Sequence, residues 1–191
     1  CWNFKINNKM KVLIVNSLDI RGGAARAAYR LHQSLLSLNI DSQMLVQSKS
    51  SDDWTVIGPT SNIQKGLNSL RPILDSIPVK FLKNKTKTLF SVSWLGFSGV
   101  VNKINKINPD IVHLHWICGG MIRIEDIARI KAPIVWSLHD MWAFTDGYHY
   151  DEAYDINKNG CQHESKNFLN DIIFKRKRKA YSNVSNITIM A

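Results

Sequence analysis

Two adjacent glycines, Gly22 and Gly23, stand between an apolar run and the start of a helical pattern. Backbone N–H groups and the helix dipole favour an anion at such a junction, and the missing Cβ lets a phosphate come close. The spacing matches neither G-x-G-x-x-G nor G-x-x-x-x-G-K-[ST], so neither the dinucleotide fingerprint nor a P-loop is encoded. A tight turn with small residues for helix–strand packing is the competing reading. His113 and His115 alternate across Leu114, which on a strand points both imidazoles to one face. Such a pair could ligate a metal, yet no nearby Cys or carboxylate completes the set, and Asp110 lies at the start of the strand. His113 is therefore expected to be packed, with His115-Trp116 facing a cleft. His139-Asp140 precedes the aromatic stretch Met141-Trp142-Ala143-Phe144-Thr145. A histidine there can hydrogen-bond a sugar hydroxyl or move a proton near neutral pH, and aromatic rings stack on sugar faces. The alternative is a structural His139 beside a helix-capping Asp140. Cys161 and His163, with His149 upstream, offer too few soft ligands for zinc. No nucleophile elbow, Cys/His arrangement or close carboxylate pair competes with these groups.

The pattern of apolar residues says what must hold them. Lys11-Val-Leu-Ile-Val-Asn16, directly after Met10, reads as a buried parallel strand, with residues 1–9 as a non-core extension and Met10 as the natural start. Ser17 to Gly23 form a loop, and Ala24, Ala28, Leu31, Leu35 and Leu38 then mark one face of a helix. Asp41 to Gln47 is a second strand, which completes a βαβ unit, and Thr55 to Gly58 a short third. Residues 61–108 read as two or three helices, the last from about Gly96 to Ile107, ending before Asn108-Pro109 because a residue before proline leaves helical geometry. Ile111 to Trp116 and Ala132 to His139 are strands on either side of a short helix, Arg123 to Ile130. A polar, aromatic segment covers 140–164, then a basic helix from Lys166 to Tyr181 and a strand from Asn186 to Met190. Alternating strands and helices predict an α/β fold with a Rossmann-like, doubly wound, mainly parallel sheet. Ligands would lie at the carboxyl ends of its strands, where Gly22-Gly23, His115-Trp116 and His139-Asp140 fall.

Composition supports one folded domain: 191 residues, 45% hydrophobic and 21% charged. Three distant cysteines, Cys1, Cys118 and Cys161, encode no disulfide framework and suit a reducing, cytoplasmic setting. No run approaches the ~20 apolar residues that span a bilayer, and the first residues lack a signal-peptide core. A net charge of +10 attracts polyanions, anionic lipid or phosphorylated small molecules. The densest basic run is Lys175, Arg176, Lys177, Arg178 and Lys179. It reads either as a solvated helix face or as a contact for an anionic membrane surface. No RRM, KH or zinc-finger pattern supports nucleic-acid binding.

Three stretches in order, Asp19 to His32, Pro109 to Trp116 and Pro133 to Thr145, resemble the N-terminal domain of glycosyltransferase family 4, and most nearly bacterial enzymes of polysaccharide and lipopolysaccharide assembly. The resemblance implies a GT-B architecture: two Rossmann-like domains, a nucleotide-sugar donor, retention of anomeric configuration, and no metal or other cofactor. It implies that residues 10–191 are the acceptor-side domain, ending before a donor-binding domain that carries a Glu-x7-Glu pair, which this chain lacks. It further implies donor binding by Gly22, Gly23 and Ala24, a catalytic role for His139, and acceptor binding by His115, Trp116, Asp140 and Trp142. The acceptor would be a saccharide or a lipid-linked sugar, handled at the cytoplasmic face of a membrane. Where relatives often carry Gly-Gly-Cys-His-Tyr, this chain has Asp146-Gly-Tyr-His-Tyr150, so a cysteine staple or metal there is not expected. The alternative is a stand-alone binding module for phosphorylated ligands or polyanions.

Overall fold

The apolar run after Met10 forms strand β1, Lys11–Leu18, with residues 12–17 all buried. It belongs to a computed structural model that describes residues 9–81, 88–96, 99–150 and 168–191, and only the backbone of 154–157 and 160–163. The expected extension over 1–9 lies outside the described residues, except for Lys9. Helix α1 (Gly23–Ser37) leads to β2 (Asp41–Ser48) and the short β3 (Val56–Ile57). The 61–108 stretch holds α2 (Asn62–Asp75), α3 (Ile77–Lys80) and α4 (Val100–Ile107). Then come β4 (Ile111–Leu114), a 3-10 helix (Ile124–Arg129) and β5 (Ile134–Ser137). A hairpin, β6 (Tyr154–Asn157) and β7 (Gly160–His163), falls inside the polar, aromatic segment over 140–164, to which the sequence assigned no element. Helix α5 (Phe168–Tyr181) and β8 (Ile187–Met190) complete the order.

The main sheet has six strands in the order β3-β2-β1-β4-β5-β8, and every pairing is parallel. It is therefore an open Rossmann-like α/β sheet, and β1 and β4 flank the point where strand order reverses. Side chains alternate along β1. Val12 and Ile14 join Met44, Val46 and Val56 against α1, while Leu13 and Val15 join Leu45, Val112 and Leu114 against Ile104, Ile127 and Ile173. Each such side chain taken wholly out of water contributes about 1.5–3 kcal/mol. None of the described helices is long and apolar enough to cross a membrane.

Two local expectations shift for physical reasons. In α1 the buried face is Ala25, Ala28 and His32, and Leu38 is 71% exposed at the C-cap. His32 turns inward because Ser42 Oγ and Thr55 Oγ1 meet its two ring nitrogens at 2.8 and 2.7 Å. The helix expected over 123–130 is 3-10, in which residues three apart eclipse. Asp126 thereby accepts from Arg123 at 2.9 Å and Arg129 at 3.0 Å through one carboxylate oxygen.

The basic run of α5 is only partly a surface. Arg176 forks onto Glu125 at 2.6 and 2.9 Å and donates to the Val92 and Ser93 carbonyls. Lys177 is 2% exposed, donates to the Trp142 and Thr145 carbonyls and lies 3.9 Å from the Trp142 ring centroid. Of the five basic residues expected to meet a membrane, Lys175, Arg178 and Lys179 alone face solvent, and Lys177 is withdrawn from the surface by burial. Burial pushes the Lys177 ammonium down to about 7. Above that pH the folded chain sheds a proton that the unfolded chain keeps, so this group makes stability rise with pH, by up to about 1.4 kcal/mol per unit. Urea unfolding at about pH 7 and about pH 9 should show the gain in wild type and a flatter response in Lys177→Met. Equal slopes in the two proteins would refute it.

Candidate functional site

At the carboxyl edge of β1 and β4 the switch in strand order opens a crevice of about 430 Å³. One wall is the start of α1. Gly22 has φ 93° and ψ 167°, a conformation essentially reserved for glycine, and no atom lies within 4 Å of where a Cβ would stand. No side chain caps α1 and its first turn holds no acid, so its leading N–H groups and the positive end of its dipole are left for a ligand. The preceding turn is pinned by Asp19, wholly buried, which accepts from Ser50 and Ser51 N–H at 2.8 and 2.7 Å. Burial raises its carboxyl pKa, but these backbone donors outweigh that and hold it below the usual range.

The opposite wall comes from β4 and β5. His139 Nε2 lies 2.7 Å from His115 Nδ1, and the three imidazoles of His113, His115 and His139 stack with centroids 4.5 and 5.0 Å apart. His113 is packed, with Nε2 2.8 Å from Ser137 Oγ. Burial lowers the pKa of all three, that of His115 to about 3, while Asp140 beside His139 offsets part of its shift. The stack is therefore neutral near pH 7. His115 Nε2 is buried without a hydrogen-bond partner. An orphaned N–H is rarer in protein interiors than an orphaned lone pair, so the His115 proton is assigned to Nδ1 and donated to His139 Nε2. His139 then carries its own proton on Nδ1 and lines the crevice as a neutral side chain.

Asp140 is not a helix cap, because no helix follows it. Its Oδ1 accepts the Trp142 N–H at 2.9 Å and its Oδ2 accepts from Trp116 Nε1 at 3.1 Å and His149 Nδ1 at 2.6 Å. Burial raises its pKa, yet these donors prevail and keep it anionic. His149, wholly buried, is held in turn by Ser91 Oγ at 2.8 Å. Ser91 sits beside Phe90, whose ring meets Tyr148 edge-on at 4.8 Å. Gly147 is required there, since a Cβ would stand 2.5 Å from the Phe90 ring.

Gly22, Gly23, Ala24, Trp116, His139 and Asp140 thus line one crevice. Two expected residues do not. His115 lies behind His139, 5% exposed, and Trp142 is a core residue, 2% exposed, with Nε1 donating to the Ser91 carbonyl at 2.9 Å. Asn16, Arg21, Leu89 and Tyr150 line the crevice without having been foreseen. Asn16 had a signal, a polar residue ending an apolar strand; its Oδ1 accepts the Trp116 N–H at 2.8 Å. Leu89 and Tyr150 arrive from distant loops and have none. The side chains of Cys161 and His163 lie outside the described residues. Among the described residues no three His, Cys, Asp or Glu side chains are grouped to hold a metal ion.

The arrangement suits a ligand with an anionic group at the glycines and hydroxyls at His139 and Asp140. The sequence model of a family described as glycosyl transferase 4-like matches residues 45–167, well over half of the chain. No curated protein and no solved structure matches it.

Proposed function

Because the chain belongs to the glycosyl transferase 4-like family, we propose that its crevice is the acceptor-side half of a retaining, nucleotide-sugar-dependent transfer site. The observation that carries this reading is the meeting of Gly22-Gly23 with His139-Asp140 across one crevice at the switch point. The N–H groups at the start of α1 face the leaving diphosphate and stabilise the charge that builds as the sugar departs. His139 Nδ1–H donates to a donor-sugar hydroxyl and fixes the anomeric carbon. Asp140 and Trp116 hold the acceptor, a saccharide or lipid-linked sugar of cell-surface polysaccharide assembly. His115 and Trp142 act from behind, one orienting His139 and the other backing the Asp140 turn. A second Rossmann-like domain, of the GT-B kind, brings the nucleotide and closes the crevice. No metal is required, since helix and backbone meet the phosphate charge.

Thermal unfolding of the longest natural protein against a panel of nucleotide diphosphates and nucleotide-sugars tests the reading. One member should raise the midpoint, by about 2.7 kcal/mol of stabilisation at a hundredfold excess over Kd. Gly22→Val should lose much of that response, because a side chain there forces the loop out of its glycine-only conformation. Stabilisation by anionic lipid or polyanions, with none from any nucleotide, would favour a binding module instead.

A further inference from the structure

Helix α2 is turned inside out. The side chains by which it grips the body are polar and three or four residues apart. Asn68 donates to the Gln47 carbonyl at 2.8 Å, Arg71 to the Gly120 and Gly96 carbonyls at 2.6 and 2.8 Å, and Asp75 accepts backbone N–H groups of residues 93–95. The apolar side chains go elsewhere. Ile63, Leu67, Leu70, Leu74, Ile77 and Phe81 recur every three or four residues through α2 and α3, and all are exposed, from 37% at Ile77 to 82% at Phe81. An unbroken apolar row of this kind marks an interaction surface.

Its charge selects the occupant. The exposed charged residues of α2 and α3 are Lys65 and Lys80, both positive. From Trp54 to Pro109 the sequence carries eight Lys and Arg against a single acid, Asp75, which is buried. A second copy of the same surface would set like charges together, whereas an anionic lipid surface supplies both the opposite sign and an apolar layer. We propose that the α2–α3 ridge docks on an anionic membrane, its apolar row in the headgroup boundary and Lys65 and Lys80 at lipid phosphates. Trp94, 41% exposed and tied through Nε1 to the Asp75 carbonyl at 3.1 Å, adds an amphipathic ring at the same end. The ridge replaces α5 as the membrane contact and does not depend on the assignment of the crevice. It is anchored to the loop after Trp116, because a Cβ on Gly120 would stand 2.9 Å from the Arg71 carbonyl oxygen.

Flotation of the full-length protein with vesicles of phosphatidylglycerol and phosphatidylcholine, against phosphatidylcholine alone, tests the proposal. Wild type should float with the anionic vesicles and far less with the neutral ones. Ile63→Gln/Leu70→Gln/Phe81→Gln alters exposed side chains, so its unfolding midpoint should hold while vesicle affinity falls about a hundredfold. Lys175→Gln/Arg178→Gln/Lys179→Gln should float like wild type. The proposal is overturned if the α5 variant loses binding and the apolar variant keeps it, or if neutral vesicles bind equally well. It also falls if the protein ignores vesicles and forms a dimer that the apolar variant abolishes.

Discussion

Asp75→Ala should destabilise the fold by roughly 3–5 kcal/mol, although Asp75 touches neither the crevice nor the sheet. The carboxylate is 3% exposed and takes the N–H groups of Ser93, Trp94 and Leu95 at 3.2, 3.1 and 3.4 Å. Removing it leaves three backbone donors without an acceptor, each costing about 1–3 kcal/mol where water cannot reach. The loop it holds includes Ser91, which braces His149 and so Asp140. Damage should therefore reach the crevice as well. Asp75→Asn keeps a carbonyl acceptor and should lose less. Urea midpoints of the two variants measure the difference, and a loss under about 1 kcal/mol for alanine would mean that solvent enters and satisfies the loop.

For His139→Ala the expected result is a drop of about a hundredfold in sugar transfer, the size found when one preorganised donor is taken from a charge-developing site. His139→Asn sets an amide N–H near the position of Nδ1 and should recover part of the rate. Steady-state release of nucleotide from the nucleotide-sugar, with acceptor present, reads both variants. A fall in kcat with KM little changed places the contact in the transition state; a rise in KM alone places it in substrate binding. Unchanged rates for alanine would remove His139 from the reaction.

Much of this protein is legible in its chain. The β1 run, the glycines after it and the alternation of strands and helices determined an open parallel sheet, because buried strands and helix faces impose distinct apolar periods. That sheet in turn decided where Gly22, Trp116, His139 and Asp140 would meet, since parallel strands bring their carboxyl ends to one edge and the reversal of strand order opens a crevice there. The family resemblance drawn from three motifs agrees with the match over residues 45–167. What depends on distant partners was not legible. Whether Lys177 faces solvent is settled by the Trp142 and Thr145 carbonyls, more than thirty residues away, and whether Trp142 lines the crevice by Ser91. Helix α2 shows the same limit most plainly. An apolar period on a helix ordinarily marks its core-facing side, yet in α2 Asn68, Arg71 and Asp75 find backbone partners on other elements and the apolar residues lie outward. Periodicity fixes which residues share a face; only the hydrogen-bond partners brought by the rest of the fold decide which face goes in.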